Sequence, residues 1–196
     1  AAEEHGSPLF APDVVPHQIL TTARLTAWKG IDGIIDALAL LKRNFPDATL
    51  VVAGDGPERK RLEAHAAKKG LATSVRFLGN VSRAETWQLR KESEVYVLNS
   101  TYEGLPHTAL TSFAAEIPTI ATDISGTNEA VYHERSGLLV PAGDAQALAD
   151  AIRRIFRDKA LGQRLIAGGT KILHEKFSWH AHLAGLRAIF ATVTKP

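Results

Sequence analysis

The stretch Val95-Tyr96-Val97-Leu98-Asn99-Ser100-Thr101-Tyr102-Glu103-Gly104-Leu105-Pro106 joins an apolar run to a segment with helical spacing. Four consecutive apolar residues predict a strand that is buried on both faces. Pro106 favours the start of a helix, so Glu103 lies on a loop between a strand and a helix. In an open α/β sheet these loops gather at the carboxyl ends of the strands, where ligands bind. The stretch therefore predicts the fold class and one acidic residue of a ligand site.

The same alternation of strand and helix patterns extends in both directions from this stretch. Strands are predicted at residues 18–25, 48–53, 75–78, 95–98, 118–122 and 138–140. Helices are predicted at residues 31–45, after Pro57, after Ser82, and at residues 106–115, 128–133 and 145–156. Strands that alternate with helices indicate an α/β fold, in which one parallel sheet of about six strands has helices on both faces.

The chain divides into a leader and one domain. Three prolines within residues 1–17 indicate a linker or leader, and the α/β domain is expected to cover residues 18–196. A helical tail begins at about residue 159, and we expect it to break near Gly168-Gly169 and again near Phe177-Ser178. Because the chain contains no methionine, even at position 1, we expect it to be a piece of a longer protein.

Composition narrows the classes of function. A net charge of +2 gives no reason to expect nucleic acid as a partner. The absence of cysteine excludes disulfides and thiolate metal sites. No Asp-x-Asp motif or histidine cluster occurs, so no metal site is expected. No apolar run approaches the roughly 18 residues of a membrane span, and no transmembrane segment is predicted.

The loops that follow the predicted strands collect cations and glycines. Residues 23–30 carry Arg24 and Lys29, and the next loops are Gly54-Asp55-Gly56-Pro57 and Gly79-Asn80-Val81. Right-handed crossovers place all of these loops at one edge of the sheet. Two cations, glycines that permit close backbone approach, and a helix N-terminus together suit a diphosphate. Each of these features is weak evidence when taken alone. Because all of them lie at one edge of the sheet, together they predict a diphosphate site there.

From about Ile19 to Phe190 the chain resembles the C-terminal domain of a retaining GT-B glycosyltransferase of the GT4 family. The matching segments, in the family's order and spacing, are Ala23-Arg24-Leu25, Lys29-Gly30, residues 52–57 and 75–79, Ser100-x-x-Glu103-Gly104-Leu105-Pro106, and residues 118–123 and 137–140. The resemblance implies a Rossmann-like domain that forms one half of a GT-B architecture. Its acceptor-binding domain would precede residue 1, so we expect little or no transferase activity from this chain alone.

The resemblance also implies roles for the matching residues. Arg24 and Lys29 would contact the donor diphosphate, and Glu103 would lie near the transferred sugar; these three are the expected catalytic residues. The expected binding residues are Arg24, Lys29, Gly79, Asn80, Val81, Gly104, Leu105 and Thr111. Of these, residues 79–81 would border the nucleobase, and the amides around Gly104 and Leu105 would add donors. No separate cofactor or metal is implied.

The implied reaction moves a sugar from a nucleoside diphosphate, whose base is unknown, to an acceptor hydroxyl with retention. The expected partners are the sugar nucleotide and, through the missing domain, an acceptor sugar or lipid-linked glycan. The expected location is cytoplasmic, with a peripheral position at the inner membrane as a further expectation for the full-length protein.

One position departs from the family pattern. The second acid of the Glu-x7-Glu motif, which typically holds the ribose hydroxyls, is replaced by Thr111. Glu116 is five residues further on, and at about 100° per residue it points away from the direction of Thr111. It also stands where the family usually has glycine. Two alternatives therefore stay open: a non-catalytic binding module of the same fold, and a sugar-nucleotide epimerase of GT-B architecture.

Overall fold

The computed structural model describes residues 14–193, and its centre is a six-stranded parallel sheet. The strands are β1 (Val15–Thr22), β2 (Thr49–Ala53), β3 (Val75–Gly79), β4 (Ser93–Leu98), β5 (Thr119–Thr122) and β6 (Leu138–Val140). Their order across the sheet is β3-β2-β1-β4-β5-β6, and each neighbouring pair is parallel. This is the strand order of the Rossmann fold, so the predicted fold class is confirmed.

Helices cover both faces of the sheet, which explains why the strands are apolar without alternation. They are α1 (Ile31–Leu41), α2 (Arg59–Lys68), α3 (Arg83–Glu92), α4 (His107–Ala114), α5 (Ala145–Arg157), α6 (Lys159–Phe177) and α7 (Trp179–Val193). Ile19 packs with α1, α2 and α5 in one core cluster, whereas the next residue, Leu20, packs with α3 and α4 in the other. The twofold period of a strand thus divides the core into two layers.

The helix predicted after Ser82 is present as α3, and it begins with a capping box formed by Ser82 and Glu85. The Ser82 hydroxyl accepts from the Glu85 amide at 3.1 Å, and the Glu85 carboxylate accepts from the Ser82 amide at 2.7 Å. These hydrogen bonds satisfy two donors that the first turn of α3 would otherwise leave free. The pKa of the Glu85 carboxyl is lowered most by the hydrogen bond from the Ser82 amide. The interaction with the Ser82 side chain lowers it further.

The first strand begins earlier than predicted. β1 starts at Val15, so residues 15–17, which the sequence assigned to the leader, belong to the sheet. Residues 1–13 of that leader lie outside the described residues. The register of β1 against β4 shifts between Val15 and Ile19, and His17 has a left-handed φ of 56°. Such an irregularity lets a strand contain Pro16, which made this segment resemble a linker.

The helical tail differs from its prediction at one of two places. The break near Phe177-Ser178 is confirmed, because α6 ends at Phe177 and α7 begins at Trp179. The break near Gly168-Gly169 is wrong, since α6 continues through both glycines. A Cβ at Gly168 would lie 1.7 Å from the Arg135 carbonyl oxygen, and one at Gly169 would lie 2.6 Å from the Phe113 ring. These glycines therefore permit close packing of a continuous helix.

The helix predicted at residues 128–133 is shorter in the structure, where it is a single 3-10 turn, Thr127–Glu129. α7 carries four exposed apolar side chains at helical spacing, Trp179, Leu183, Leu186 and Phe190. Of the helices within residues 14–193, none combines the length and apolarity that a membrane span requires.

Candidate functional site

The centre of the sheet contains a topological switch point. β1 and β4 are neighbours, with β2 and β3 on one side and β5 and β6 on the other. In open α/β sheets, ligands bind in the crevice at the carboxyl ends of such a strand pair. The loops at residues 23–30 and 99–106 leave β1 and β4 at this point. The fold therefore brings together the two loops that the sequence identified as functional.

Backbone contacts hold these two loops against each other. The Thr101 amide donates to the Trp28 carbonyl at 2.8 Å, and the Asn99 side-chain amide donates to the Gly30 carbonyl at 2.8 Å. Gly30 has a φ of 59°, and a Cβ there would lie 2.2 Å from the Asn99 carbonyl oxygen. A larger residue would be strained and would separate the loops. Gly30 is therefore required by the geometry of the site.

An ion pair between Lys29 and Glu103 lies where the loops meet. The Lys29 ammonium is 2.7 Å from Glu103 Oε1, although the two residues are 74 positions apart in sequence. Their side chains are 20% and 13% exposed, so solvent ions screen the pair less than a surface pair. The Ser100 hydroxyl donates to the same oxygen at 2.7 Å. Glu103 Oε2 has no hydrogen-bond partner within residues 14–193.

A cavity of about 340 Å³ adjoins this ion pair, and we name it the Glu103 cavity. Its lining residues are Thr101, Tyr102, Glu103, Gly104, Ile124, Ser125, Gly126 and Glu129. A Cβ at Gly126 would lie 2.1 Å from the carbonyl oxygens of Glu103 and Gly104, so packing explains that glycine. A Cβ at Gly104 would enter open space, and its φ is not left-handed. The fold itself therefore does not require glycine at position 104.

A second depression, of about 520 Å³, surrounds Arg24 and is named the Arg24 cleft. Its lining residues are Ala23, Arg24, Ala53, Gly54, Asp55, Gly56, Asn80, Val81 and Thr86. Arg24 is exposed, and its side chain has no hydrogen-bond or ion-pair partner within residues 14–193. A Cβ at Gly54 would lie 1.9 Å from the Ala23 carbonyl oxygen, so the glycine lets the loops after β1 and β2 form one wall.

The two cations of the first loop are therefore in different environments. Among the described residues Arg24 has no ion-pair partner in its cleft, whereas Lys29 is bound to the Glu103 carboxylate. An incoming anion would meet Arg24 without breaking an existing contact. It would meet Lys29 only in competition with Glu103.

The other predicted residues divide between the site and its surroundings. Asn80 and Val81 line the Arg24 cleft, and Gly79 precedes them, accepting from the Gly54 amide at 2.8 Å. Leu105 lies outside both cavities, in a groove with Trp179. Thr111 also lies outside both cavities.

Thr111 is exposed on α4, and its hydroxyl donates to the His107 carbonyl at 2.8 Å. Glu116 follows the end of α4 and lies 3.8 Å from Lys91. It lines a cavity together with Ser93, the first residue of β4, and Pro118, which directly precedes β5. This cavity therefore lies at the amino ends of the two strands. Glu116 thus lies at the edge of the sheet opposite the loops that carry Arg24 and Glu103.

Sequence reasoning did not identify two side chains near the site. Thr86 lines the Arg24 cleft from the first turn of α3, and its only sequence signal is its place just after the capping box. Ser100 lies in the motif that carries the resemblance, but its contact with Glu103 depends on the path of the loop. Glu129 lines the Glu103 cavity as a second carboxylate.

A buried cation lies beneath the switch point. The Arg90 guanidinium donates to the hydroxyls of Thr22 at 3.0 Å and Ser112 at 3.2 Å, and to the Thr86 carbonyl at 3.3 Å. Burial lowers the pKa of Arg90, against the smaller opposing effect of Tyr96. An arginine remains protonated at physiological pH, so α3 brings a positive charge to the underside of the site. Within residues 14–193, no group of three or more acidic, histidine or cysteine side chains is arranged as a metal site.

The chain is similar in sequence to known glycosyl transferases. The sequence model described as "Glycosyl transferases group 1" matches residues 11–172. The lipopolysaccharide core biosynthesis glycosyltransferase LpsD of Rhizobium meliloti is 35% identical over 160 residues, which cover 82% of this chain and 45% of LpsD. The chain thus spans less than half the length of this relative.

Two solved structures share the fold. The structure of Anabaena HepE in complex with UDP superposes with a TM-score of 0.81 at 25% identity, covering 90% of this chain and 49% of HepE. The C-terminal domain of a group 1 family glycosyl transferase, LpcC, from Francisella tularensis gives a TM-score of 0.75 at 24% identity. That match covers 85% of this chain and 89% of the LpcC domain.

Proposed function

The chain belongs to the group 1 glycosyl transferases, and we propose that it binds the nucleoside-diphosphate sugar whose sugar is transferred to an acceptor hydroxyl. Of the three hypotheses raised by the sequence, the comparisons favour this one over a non-catalytic module or an epimerase. The whole protein would then be a glycosyltransferase, and this chain its donor-binding part.

The observation that carries the proposal is the Lys29–Glu103 ion pair at the switch point, beside the Glu103 cavity. A sugar nucleotide contains a nucleoside, an anionic diphosphate and a polyhydroxylated ring. The Arg24 cleft offers a cation and glycine-rich walls to the nucleoside diphosphate. Glu103 offers a carboxylate oxygen to sugar hydroxyls, and hydrogen bonds to a charged acceptor are stronger than neutral ones.

Gly104 supports the placement of the diphosphate. Its lack of a side chain is not needed for packing, and it lies three residues before His107, the first residue of α4. A bare backbone at a helix N-terminus lets an anion approach amide groups closely. We therefore place the diphosphate between Arg24 and the start of α4, with Lys29 turning toward it from Glu103.

Charge neutralisation would supply the catalysis. As the bond to the sugar breaks, negative charge grows on the departing nucleoside diphosphate. Arg24 and Lys29 would stabilise that charge from fixed loops, which is an effective form of transition-state stabilisation. The acceptor hydroxyl would approach on the face that the phosphate leaves, which gives retention. Its oxygen would bond to the anomeric carbon as the bond from that carbon to the phosphate breaks, and its proton would pass to the departing phosphate.

The relatives suggest which ligands to test first. HepE was solved with UDP, so a uridine nucleotide is the first candidate donor, and we propose residues 79–81 as the border of its base. The name of LpsD refers to the lipopolysaccharide core, so a glycan is the first candidate acceptor. We propose that the acceptor is held by a part of the protein beyond this chain and that the whole enzyme works in the cytoplasm.

Calorimetric titration with UDP, GDP and ADP tests the proposal. We expect one of these nucleotides to bind, and Arg24→Ala to weaken it by about tenfold or more, the effect of one charge-assisted hydrogen bond. Arg76→Ala is the matched control, because Arg76 is an exposed arginine on β3 outside both cavities. Binding of none of the three nucleotides to the wild-type chain would overturn the proposal.

A further inference from the structure

Ser100 is a buried residue that binds Glu103. It is the second residue after β4, and none of its surface is exposed. Its carbonyl accepts a hydrogen bond from the Thr122 hydroxyl at the end of β5, and its own hydroxyl donates to Glu103 Oε1 at 2.7 Å. Ser100 therefore links the end of the sheet to the carboxylate of the site.

The two donors to Glu103 differ in mobility. The Lys29 ammonium ends a flexible four-carbon chain that is 20% exposed, and the proposed diphosphate would draw it away. The Ser100 hydroxyl is attached to a buried backbone and has no second partner among the described residues. When Lys29 turns to the phosphate, Ser100 is the donor that stays on Oε1.

The second carboxylate oxygen of Glu103, Oε2, can accept a hydrogen bond from a sugar hydroxyl. Lys29 and Ser100 both bind Oε1, and no group of residues 14–193 donates to Oε2, which leaves both of its lone pairs available beside the Glu103 cavity. A carboxylate held by one oxygen from a rigid donor presents its other oxygen in a fixed direction. Fixed direction is what a sugar hydroxyl requires, because small displacements of a positioned group strongly weaken its effect.

We propose that Ser100 is a positioning residue, which anchors Glu103 so that Oε2 accepts from a hydroxyl of the donor sugar. This inference rests on the proposed function, since it concerns the sugar part of the same donor. It assigns Ser100 no contact with the nucleotide. Its loss should therefore affect the contribution of the sugar to binding and leave that of the nucleoside diphosphate unchanged.

The test compares a nucleotide with its sugar conjugate by calorimetry on the whole 196-residue chain. The pairs are UDP with UDP-glucose, GDP with GDP-mannose and ADP with ADP-glucose, and the pair used is the one whose nucleotide binds the wild type. We expect Ser100→Ala to lower the affinity ratio of conjugate to nucleotide by about tenfold, as for a lost hydrogen bond to a charged group. Affinity for the nucleotide should stay within about twofold.

Two further variants make the test specific. Thr73→Ala removes a hydroxyl from an exposed residue outside both cavities, so the ratio should not change. In a Glu103→Gln background, Ser100→Ala should have little further effect, because residues that act as one unit are not additive. A purely structural role for Ser100 would instead weaken the nucleotide and its conjugate equally.

Each outcome is decisive. Absence of nucleotide binding to the wild type overturns the proposed function together with this inference. An unchanged ratio in Ser100→Ala, or an equal loss of both affinities, overturns the inference alone. If Glu103→Gln alone leaves the affinity ratio unchanged, the inference is also overturned, because Glu103 would then not contact the sugar.

Discussion

Glu116 adopts a backbone conformation that is costly for a residue with a side chain. Its φ is 57°, and the amides of Glu116 and Ile117 donate to the carbonyls of Phe113 and Ser112 at the end of α4. Helices that end in this way usually have glycine at the left-handed position. We expect Glu116→Gly to raise the free energy of unfolding by about 1 kcal/mol, measured by urea denaturation.

Glu116→Ala is the control for this prediction. It removes the exposed pair with Lys91, whose 3.8 Å separation promises little stabilisation, and it keeps a Cβ at the left-handed position. Its stability should therefore stay close to that of the wild type. A fall in stability on Glu116→Gly would show that the ion pair outweighs the backbone strain.

Thr111 is the residue at which donor binding should be easiest to improve. Thr111 is exposed and its hydroxyl donates to the helix backbone, so a larger side chain can be introduced without disturbing the core. If the ribose lies where the family resemblance places it, Thr111→Glu should strengthen nucleotide binding by about tenfold through a charge-assisted hydrogen bond. The measurement is the calorimetric titration of the nucleotide, with Thr111→Gln as the uncharged control. Unchanged affinity would mean that the ribose lies elsewhere.

The glycines of α6 give a contrast at the scale of one helix. Alanine at a helical glycine usually stabilises by about 1 kcal/mol, because it reduces the freedom of the unfolded chain. At Gly168, however, a Cβ would lie 1.7 Å from the Arg135 carbonyl, and the helix would have to move away. We expect Gly168→Ala to destabilise the protein by about 1–3 kcal/mol, as overpacking does.

Gly162 provides the matched control in the same helix. A Cβ there would lie 3.5 Å from Pro118, an ordinary van der Waals contact. Gly162→Ala should therefore raise the midpoint of urea unfolding, whereas Gly168→Ala should lower it. A higher unfolding midpoint for Gly162→Ala together with a lower one for Gly168→Ala would confirm that α6 is continuous and closely packed. A rise of the same size in both variants would contradict the contact at Gly168.

The elements were predictable where local physics determines them. Apolar runs specified the strands within a few residues, and the Ser82–Glu85 capping box marked the start of α3. The failures have tertiary causes. The glycine pair of α6 resembles a break until Arg135 and Phe113 are seen against it, and Pro16 resembles a linker until the strand irregularity at His17 is known.

The site was predictable as a set of loops but not as a set of contacts. Right-handed crossovers and parallel strands bring Arg24, Lys29 and Glu103 to one edge in any such sheet. That Lys29, and not Arg24, pairs with Glu103 depends on the 3-10 turn at residues 27–29 and on Gly30. Ser100 could not be assigned, because its role depends on how the loop turns back after β4.

At the scale of the whole molecule, we expect binding without turnover. The chain spans 45% of the length of LpsD, and its site opens at the edge of the sheet with no acceptor-binding part identified in it. Release of free nucleotide from the bound donor in the presence of glycan acceptors should therefore stay at the uncatalysed rate. The full-length protein is the positive control. Detectable sugar transfer by the 196-residue chain would contradict this expectation.

The central strand pair also has a consequence for how the protein folds. β1 to β3 and β4 to β6 are two sets of consecutive strands, and the β1–β4 pairing is the step in the sheet that joins them. Closing so long a loop is entropically costly, so this pairing should form late. Lys29 and Glu103 belong to different sets, and a molecule with only one set folded has no complete site. A bound donor would therefore slow hydrogen exchange most at the β1–β4 seam, because it binds only molecules in which that seam is closed.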